Sequence, residues 1–61
     1  MSTETEFLDA NEVAQRLGLS RNRIYEMAKR NEIPNHKFGR YIRFRWESIS
    51  RWLDETEAPG I

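Results

Sequence analysis

The stretch Val13-Ala14-Gln15-Arg16-Leu17-Gly18-Leu19-Ser20-Arg21-Asn22-Arg23-Ile24-Tyr25 decides the fold. Val13, Ala14 and Leu17 recur at i, i+1 and i+4, which places them on one apolar face of a helix. Gly18 stands where a glycine takes the left-handed conformation that stops a helix. Ser20 is a strong N-cap, and Ile24, Met27 and Ala28 resume helical spacing behind it. Only Gly18-Leu19-Ser20 separates the two patterns, so the chain must turn sharply between two short amphipathic helices.

Working outward, Asp9-Ala10-Asn11-Glu12 sets a carboxylate cap three residues before a glutamate. That resembles a capping box and predicts a first helix over 10–17. The second helix is predicted from Arg21 to Asn31 and is closed by Ile33-Pro34, because proline disfavours helix in the residue before it. From His36 the period changes to two. Ile42 and Phe44 alternate with Arg43 and Arg45, as in a half-buried strand. Gly39-Arg40 between Phe38 and Tyr41 marks a tight hairpin, with strands at 36–38 and 42–44. Glu47 lies near the start of a third helix, where its charge suits the dipole. Ile49, Trp52 and Leu53 form that helix's apolar face, and it should end before Ala58-Pro59-Gly60. Leu8, Val13, Leu17, Leu19, Ile24, Ala28, Ile33, Phe38, Ile42, Phe44, Ile49, Trp52 and Leu53 are the expected core. The fold class is mainly α with a small β-hairpin. A short glycine-containing link between two helices signals a helix-turn-helix, and the hairpin and third helix make it a winged one. The expected domain covers 7–55, between an acidic tail over 1–6 and a C-terminal tail over 56–61.

Sixty-one residues allow one small domain, and a chain of that size buries only about 60% of its unfolded surface. There is no cysteine and one histidine, His36, so disulfides and thiolate or multi-histidine metal sites are excluded. No cofactor or metal is expected. No apolar run approaches the roughly 20 residues of a membrane helix, and the N-terminal residues lack the features of a signal peptide. A cytoplasmic protein with no membrane partner is therefore expected. An enzyme is not: no histidine–carboxylate–nucleophile set and no glycine-rich phosphate loop is present, and the chain is too short to wall off a pocket.

The ten basic and ten acidic residues cancel, yet they are not mixed. Residues 1–12 carry −4, residues 13–46 carry +7 and residues 47–61 carry −3. A basic middle between acidic ends is the footprint of a phosphate binder. Arg21 and Arg23 occupy the first turn of the second helix, where positive charge opposes the dipole. A departure from the local rule without compensation often marks function. An anion beside the free N–H groups behind Ser20 supplies that compensation. In a helix-turn-helix the N-terminal residues of the second helix reach the DNA major groove. Asn22, Glu26 and Lys29 lie opposite Ile24 on the helical wheel, with Tyr25 and Arg30 at the borders. Asn22 can read adenine bidentately or stay solvated. Glu26 can accept from cytosine or pair with Arg30 at i+4. Tyr25 can pack its ring on the core edge and present only its hydroxyl. In the hairpin, Lys37 precedes the turn, Gly39, Arg40 and Tyr41 surround it, and Arg43 and Arg45 follow. A ribbon of like charges gains nothing by self-repulsion, so Lys37 and Arg40 are expected at DNA. Arg43 and Arg45 have a second reading, pairing with Glu47 or the acidic C-terminus.

The ordered set Leu8-Asp9, Val13-Ala14, Leu17-Gly18-Leu19-Ser20-Arg21, Ile24-Tyr25, Ile33-Pro34, Phe38-Gly39-Arg40, Arg43-Phe44, Ile49 and Trp52-Leu53 resembles the excisionase and AlpA-type, MerR-like helix-turn-helix family. The resemblance covers 8–53. It implies a winged helix-turn-helix that binds double-stranded DNA, with the polar face of the second helix in the major groove and the Gly39-Arg40 hairpin as the wing in the minor groove. Members are commonly excisionases that assist an integrase, or small transcription regulators of phages and mobile elements. Cooperative neighbouring protomers on DNA fit such a small protein. Two positions depart from the pattern: Arg45 stands where a small capping residue is common, and Trp46 where a polar residue is usual.

Overall fold

The computed structural model describes residues 6–58. In chain order it contains α1 (Ala10–Leu17), α2 (Arg21–Lys29), β1 (His36–Phe38), β2 (Tyr41–Arg43) and α3 (Trp46–Thr56). The two strands form one antiparallel hairpin. This is a winged helix-turn-helix. Of the two expected tails, 1–5 and 59–61 lie outside the described residues, and Thr56 belongs to α3.

Local chemistry sets the first two helices. The Asp9 carboxylate accepts from the Glu12 N–H at 2.9 Å, and Glu12 accepts in return from the Asp9 N–H at 3.0 Å, so the capping box is closed. Gly18 ends α1 with φ 71° and ψ 29°, the left-handed region. The Leu19 N–H then reaches back to the Ala14 carbonyl at 2.9 Å. Ser20 starts α2 by accepting from the Arg23 N–H at 3.1 Å.

The end of α2 differs from expectation. The helix stops at Lys29, not Asn31. Asn31 adopts φ 56°, the one non-glycine residue with positive φ among those described. The Glu32 N–H bonds the Met27 carbonyl at 2.8 Å and the Asn31 N–H bonds the Ala28 carbonyl at 3.0 Å. These are the two bonds of a Schellman motif, with asparagine in the place glycine usually takes. The helix therefore ends before proline can act on it.

The hairpin pairs His36 with Arg43, Lys37 with Ile42 and Phe38 with Tyr41, so the second strand begins one residue earlier than expected. Gly39 has φ 62° and Arg40 does not share a positive φ. Positive φ at the first of two loop residues alone is the type II′ pattern, which matches strand twist. A Cβ on Gly39 would meet nothing within 4 Å, so the demand there is conformational. Gly39→Val is expected to destabilise the domain by about 1–2 kcal/mol through the left-handed strain of a β-branched residue, visible as a lowered midpoint in urea. An unchanged midpoint would show that the turn needs no glycine.

The core is Leu8, Ala10, Val13, Ala14, Ile24, Ala28, Ile33, Phe44 and Ile49, with Leu17, Tyr25, Met27, Ile42, Trp46 and Trp52 half-buried against it. Three residues expected inside are outside: Phe38 is 50% exposed, Leu19 44% and Leu53 36%. Phe38 shares the outer face of the hairpin with Tyr41, because directly paired residues point the same way. Leu19 is the corner of the link between α1 and α2. Leu53 lies one turn beyond Ile49, where α3 runs past this small core. Phe44 is held from both sides of its backbone. It exchanges two hydrogen bonds with Leu8, at 2.7 and 2.9 Å, so the chain's start is stitched to the end of the wing. At α3 the cap residue Arg45 makes no side-chain capping bond; it pairs with Glu47 at 3.3 Å instead. Trp46 is half-buried beneath the Arg16 guanidinium, 4.9 Å from the ring centroid.

Candidate nucleic-acid interface

Helix α2 shows three stripes to solvent. Asn22, Glu26 and Lys29 run down its middle, opposite buried Ile24. Arg23 and Arg30 form one border and Arg21 with half-buried Tyr25 the other. The first border is neutralised: Arg23 pairs with Glu26 and Arg30 with Glu32, each at 3.9 Å. The expected i+4 pair of Glu26 with Arg30 is thus replaced by an i+3 pair with Arg23. Both pairs are exposed and contribute little to stability, so water or an anion can displace them easily.

The second border is different. Arg21 lies over the Tyr25 ring at 5.1 Å, with Nη2 donating to the tyrosine hydroxyl at 3.5 Å. On the wing, Arg40 and Arg43 both lie by the Tyr41 ring, at 5.7 and 5.6 Å. Among the described residues none of these three arginines has a carboxylate within 4.0 Å. Stacking on an aromatic face steadies a guanidinium, and since Arg21 and Arg43 each spend one terminal nitrogen on a protein acceptor, their other N–H donors can meet a phosphate or base. The wing's two later arginines therefore separate: Arg45 takes the pairing reading with Glu47, while Arg43 instead donates to the Ile42 carbonyl at 3.0 Å.

Ser20 and Lys37 have structural partners. The Ser20 hydroxyl is the cap of α2. The Lys37 ammonium donates to the Asn35 and Asn31 side-chain oxygens at 2.8 and 2.9 Å and to the Ala28 carbonyl at 3.3 Å. Three acceptors use all three of its donors. Its charge sits on the last carbonyls of α2, where the dipole favours it. Lys37 pairs with Ile42 across the hairpin, so it points away from Tyr41 and Arg43. Sequence reasoning could not see this, because the bond partners are a helix end and a turn residue in positive φ. Lys37→Ala is expected to cost about 1 kcal/mol of stability and to leave the salt dependence of DNA binding unchanged. Thermal melts and DNA titrations of the variant check both; a flatter salt dependence would return Lys37 to the interface.

Phe7 joins the outer face of the wing, edge-on to His36 at 5.3 Å and to Phe38 at 5.5 Å. This exposed aromatic group was not anticipated. Among the described residues no cluster of acidic, histidine or cysteine side chains could hold a metal ion, and no helix is long and apolar enough to cross a membrane.

A family model described as a helix-turn-helix domain matches residues 7–57. No curated protein and no solved structure matches the chain.

Proposed function

The chain belongs to the helix-turn-helix domain family, and on that premise we propose that it recognises a specific sequence in double-stranded DNA. The reading places the Asn22, Glu26 and Lys29 stripe of α2 in the major groove, flanked by Arg21, Arg23, Tyr25 and Arg30. The wing, through Gly39, Arg40, Tyr41 and Arg43, follows the backbone toward the minor groove. Lys37 and the Ser20 hydroxyl frame this surface from within. The observation that carries the reading is a set of three carboxylate-free arginines beside aromatic rings on α2 and the wing, of which Arg21 and Arg43 line one cleft together with Tyr25 and Tyr41. A protein that neutralises about 4–6 phosphates should bind with a log–log salt slope of about −4 to −5. Fluorescence anisotropy on a labelled duplex at several salt concentrations measures it. A slope near zero would point instead to a protein-binding domain.

Within that reading we favour an excisionase, a factor that binds beside an integrase's sites and bends or bridges the DNA so that excision proceeds. The ordered residue pattern from Leu8 to Leu53 supports it. Neighbouring protomers on repeated sites, and the integrase itself, would be its protein partners. A small transcription regulator of a phage or mobile element would use the same contacts. Footprinting on the DNA adjoining the coding sequence distinguishes them: protection within attachment-site arms supports excision, and protection over a promoter supports transcription control.

A further inference from the structure

Between the start of α1, the first turn of α2 and strand β2 lies a cleft of about 260 Å³, whose walls include Asp9, Asn11, Arg21, Tyr25, Tyr41 and Arg43. Resting on the DNA-binding reading above, we propose that this cleft holds a single backbone phosphodiester of the duplex, gripped from one side by Arg21 and from the other by Arg43.

Three features support the assignment. First, the two arginines come from different elements yet line one cavity, each beside a tyrosine ring, at 5.1 Å for Arg21 over Tyr25 and 5.6 Å for Arg43 over Tyr41. The stacking orients two planar guanidinium groups; Arg21 spends one nitrogen on the Tyr25 hydroxyl and Arg43 one on the Ile42 carbonyl, and the donors left on each suit the oxygens of a phosphate. Second, the charge is right for one anion. Asp9 also lines the cleft, but its carboxylate is engaged by the Glu12 N–H at 2.9 Å and lies beyond 4.0 Å of either guanidinium. Two positive charges against one negative favour one phosphodiester and disfavour a second. Third, the location is where the DNA backbone must pass if α2 enters the major groove and the wing the adjacent minor groove, since a phosphate strand separates the two grooves. Tyr25 and Tyr41 bring hydroxyls that donate to the remaining oxygens. The phosphate would thus lock the wing to α2 on binding, so that neither arginine holds it fully without the other.

The test is a double-mutant cycle on the full chain with Arg21→Gln, Arg43→Gln and the double variant. The probe is a random-sequence 24-base-pair duplex, on which backbone contacts dominate, and the readouts are affinity and salt slope by fluorescence anisotropy. If one phosphate is shared, each single variant should lose roughly tenfold in affinity and about one unit of slope. The double variant should lose scarcely more than either. Arg43→Lys should keep the charge and the slope yet lose affinity, because the fork is gone. Additive losses, near a hundredfold with two units of slope in the double variant, would overturn the shared phosphate while leaving DNA binding intact. A wild-type slope near zero would overturn the DNA-binding reading, and the clamp with it.

Discussion

Phe44→Ala is expected to leave the chain largely unfolded at 25 °C. Phe44 is fully buried and is among the largest side chains in the core it shares with Val13, Ile24, Ile33 and Ile49. Removing a buried phenyl ring costs about 3–5 kcal/mol, the lost transfer energy together with the cavity. A single core in a domain of this size rarely supplies more than about 3–5 kcal/mol in total. The two magnitudes are equal, so the variant has nothing left. The Leu8–Phe44 backbone bonds survive the substitution on paper, but two hydrogen bonds of about 1 kcal/mol each do not hold a domain without its core. Far-UV circular dichroism of the variant should show a broad loss of helix with no cooperative melt. Phe38→Ala supplies the contrast. Phe38 is half exposed on the far face of the wing, and its loss should cost under about 1 kcal/mol. Equal damage from the two variants would mean that the hairpin register is not the one described.

Arg21→Ala is expected to weaken duplex binding by roughly tenfold on any sequence, with the salt slope reduced by about one unit, as for the loss of one backbone contact, while leaving the melting temperature within about 4 °C. Two small effects oppose each other in the free protein. The substitution removes a positive charge from the start of α2, a gain of about 0.3–1 kcal/mol. It also removes the stacking on Tyr25, a loss of about 0.5–1 kcal/mol at an exposed site. They nearly cancel, and 1 kcal/mol moves the melt of a domain this small by only about 4–8 °C. Parallel melts and titrations separate the roles. A large fall in melting temperature would make Arg21 a structural residue, and the argument from its unfavourable place on the helix dipole would fail.

What could be read in the sequence was what adjacent residues settle among themselves. Asp9 with Glu12, Gly18, and Ser20 each act within four residues, and they fix α1, the turn and the start of α2. The end of α2 was misread because Ile33-Pro34 offers an obvious stop, whereas an asparagine in the left-handed region gives no comparable signal. Phe38 was misplaced by apolarity alone. A two-residue loop at Gly39-Arg40 pairs Phe38 with Tyr41 and therefore opposes it to Ile42, so register parity could have corrected the error. The Leu8–Phe44 bridge joins residues 36 positions apart, and no local pattern announces it.

The candidate interface divides in the same way. The helical wheel places the side chains of α2 correctly around Ile24, since burial of one face orders the others. It could not separate the paired arginines, Arg23, Arg30 and Arg45, from the stacked ones, Arg21, Arg40 and Arg43. That distinction is made by which carboxylate or ring lies nearby in space. Nor could the sequence show the partners of Lys37, a cation on the wing that by position looks like a phosphate contact and that donates to the Ala28 carbonyl at the end of α2 and to the side chains of Asn31 and Asn35.

The most direct measurement is an amide ¹H–¹⁵N correlation spectrum of the labelled chain titrated with a duplex. The account predicts that shifts concentrate on 20–30, from the cap of α2 to its end, and on 39–43 of the wing, including the side-chain signals of Arg21, Arg40 and Arg43. The exposed face of α3 around Arg51 and Asp54 should stay in place. Shifts centred on α3, with α2 and the wing unmoved, would contradict it.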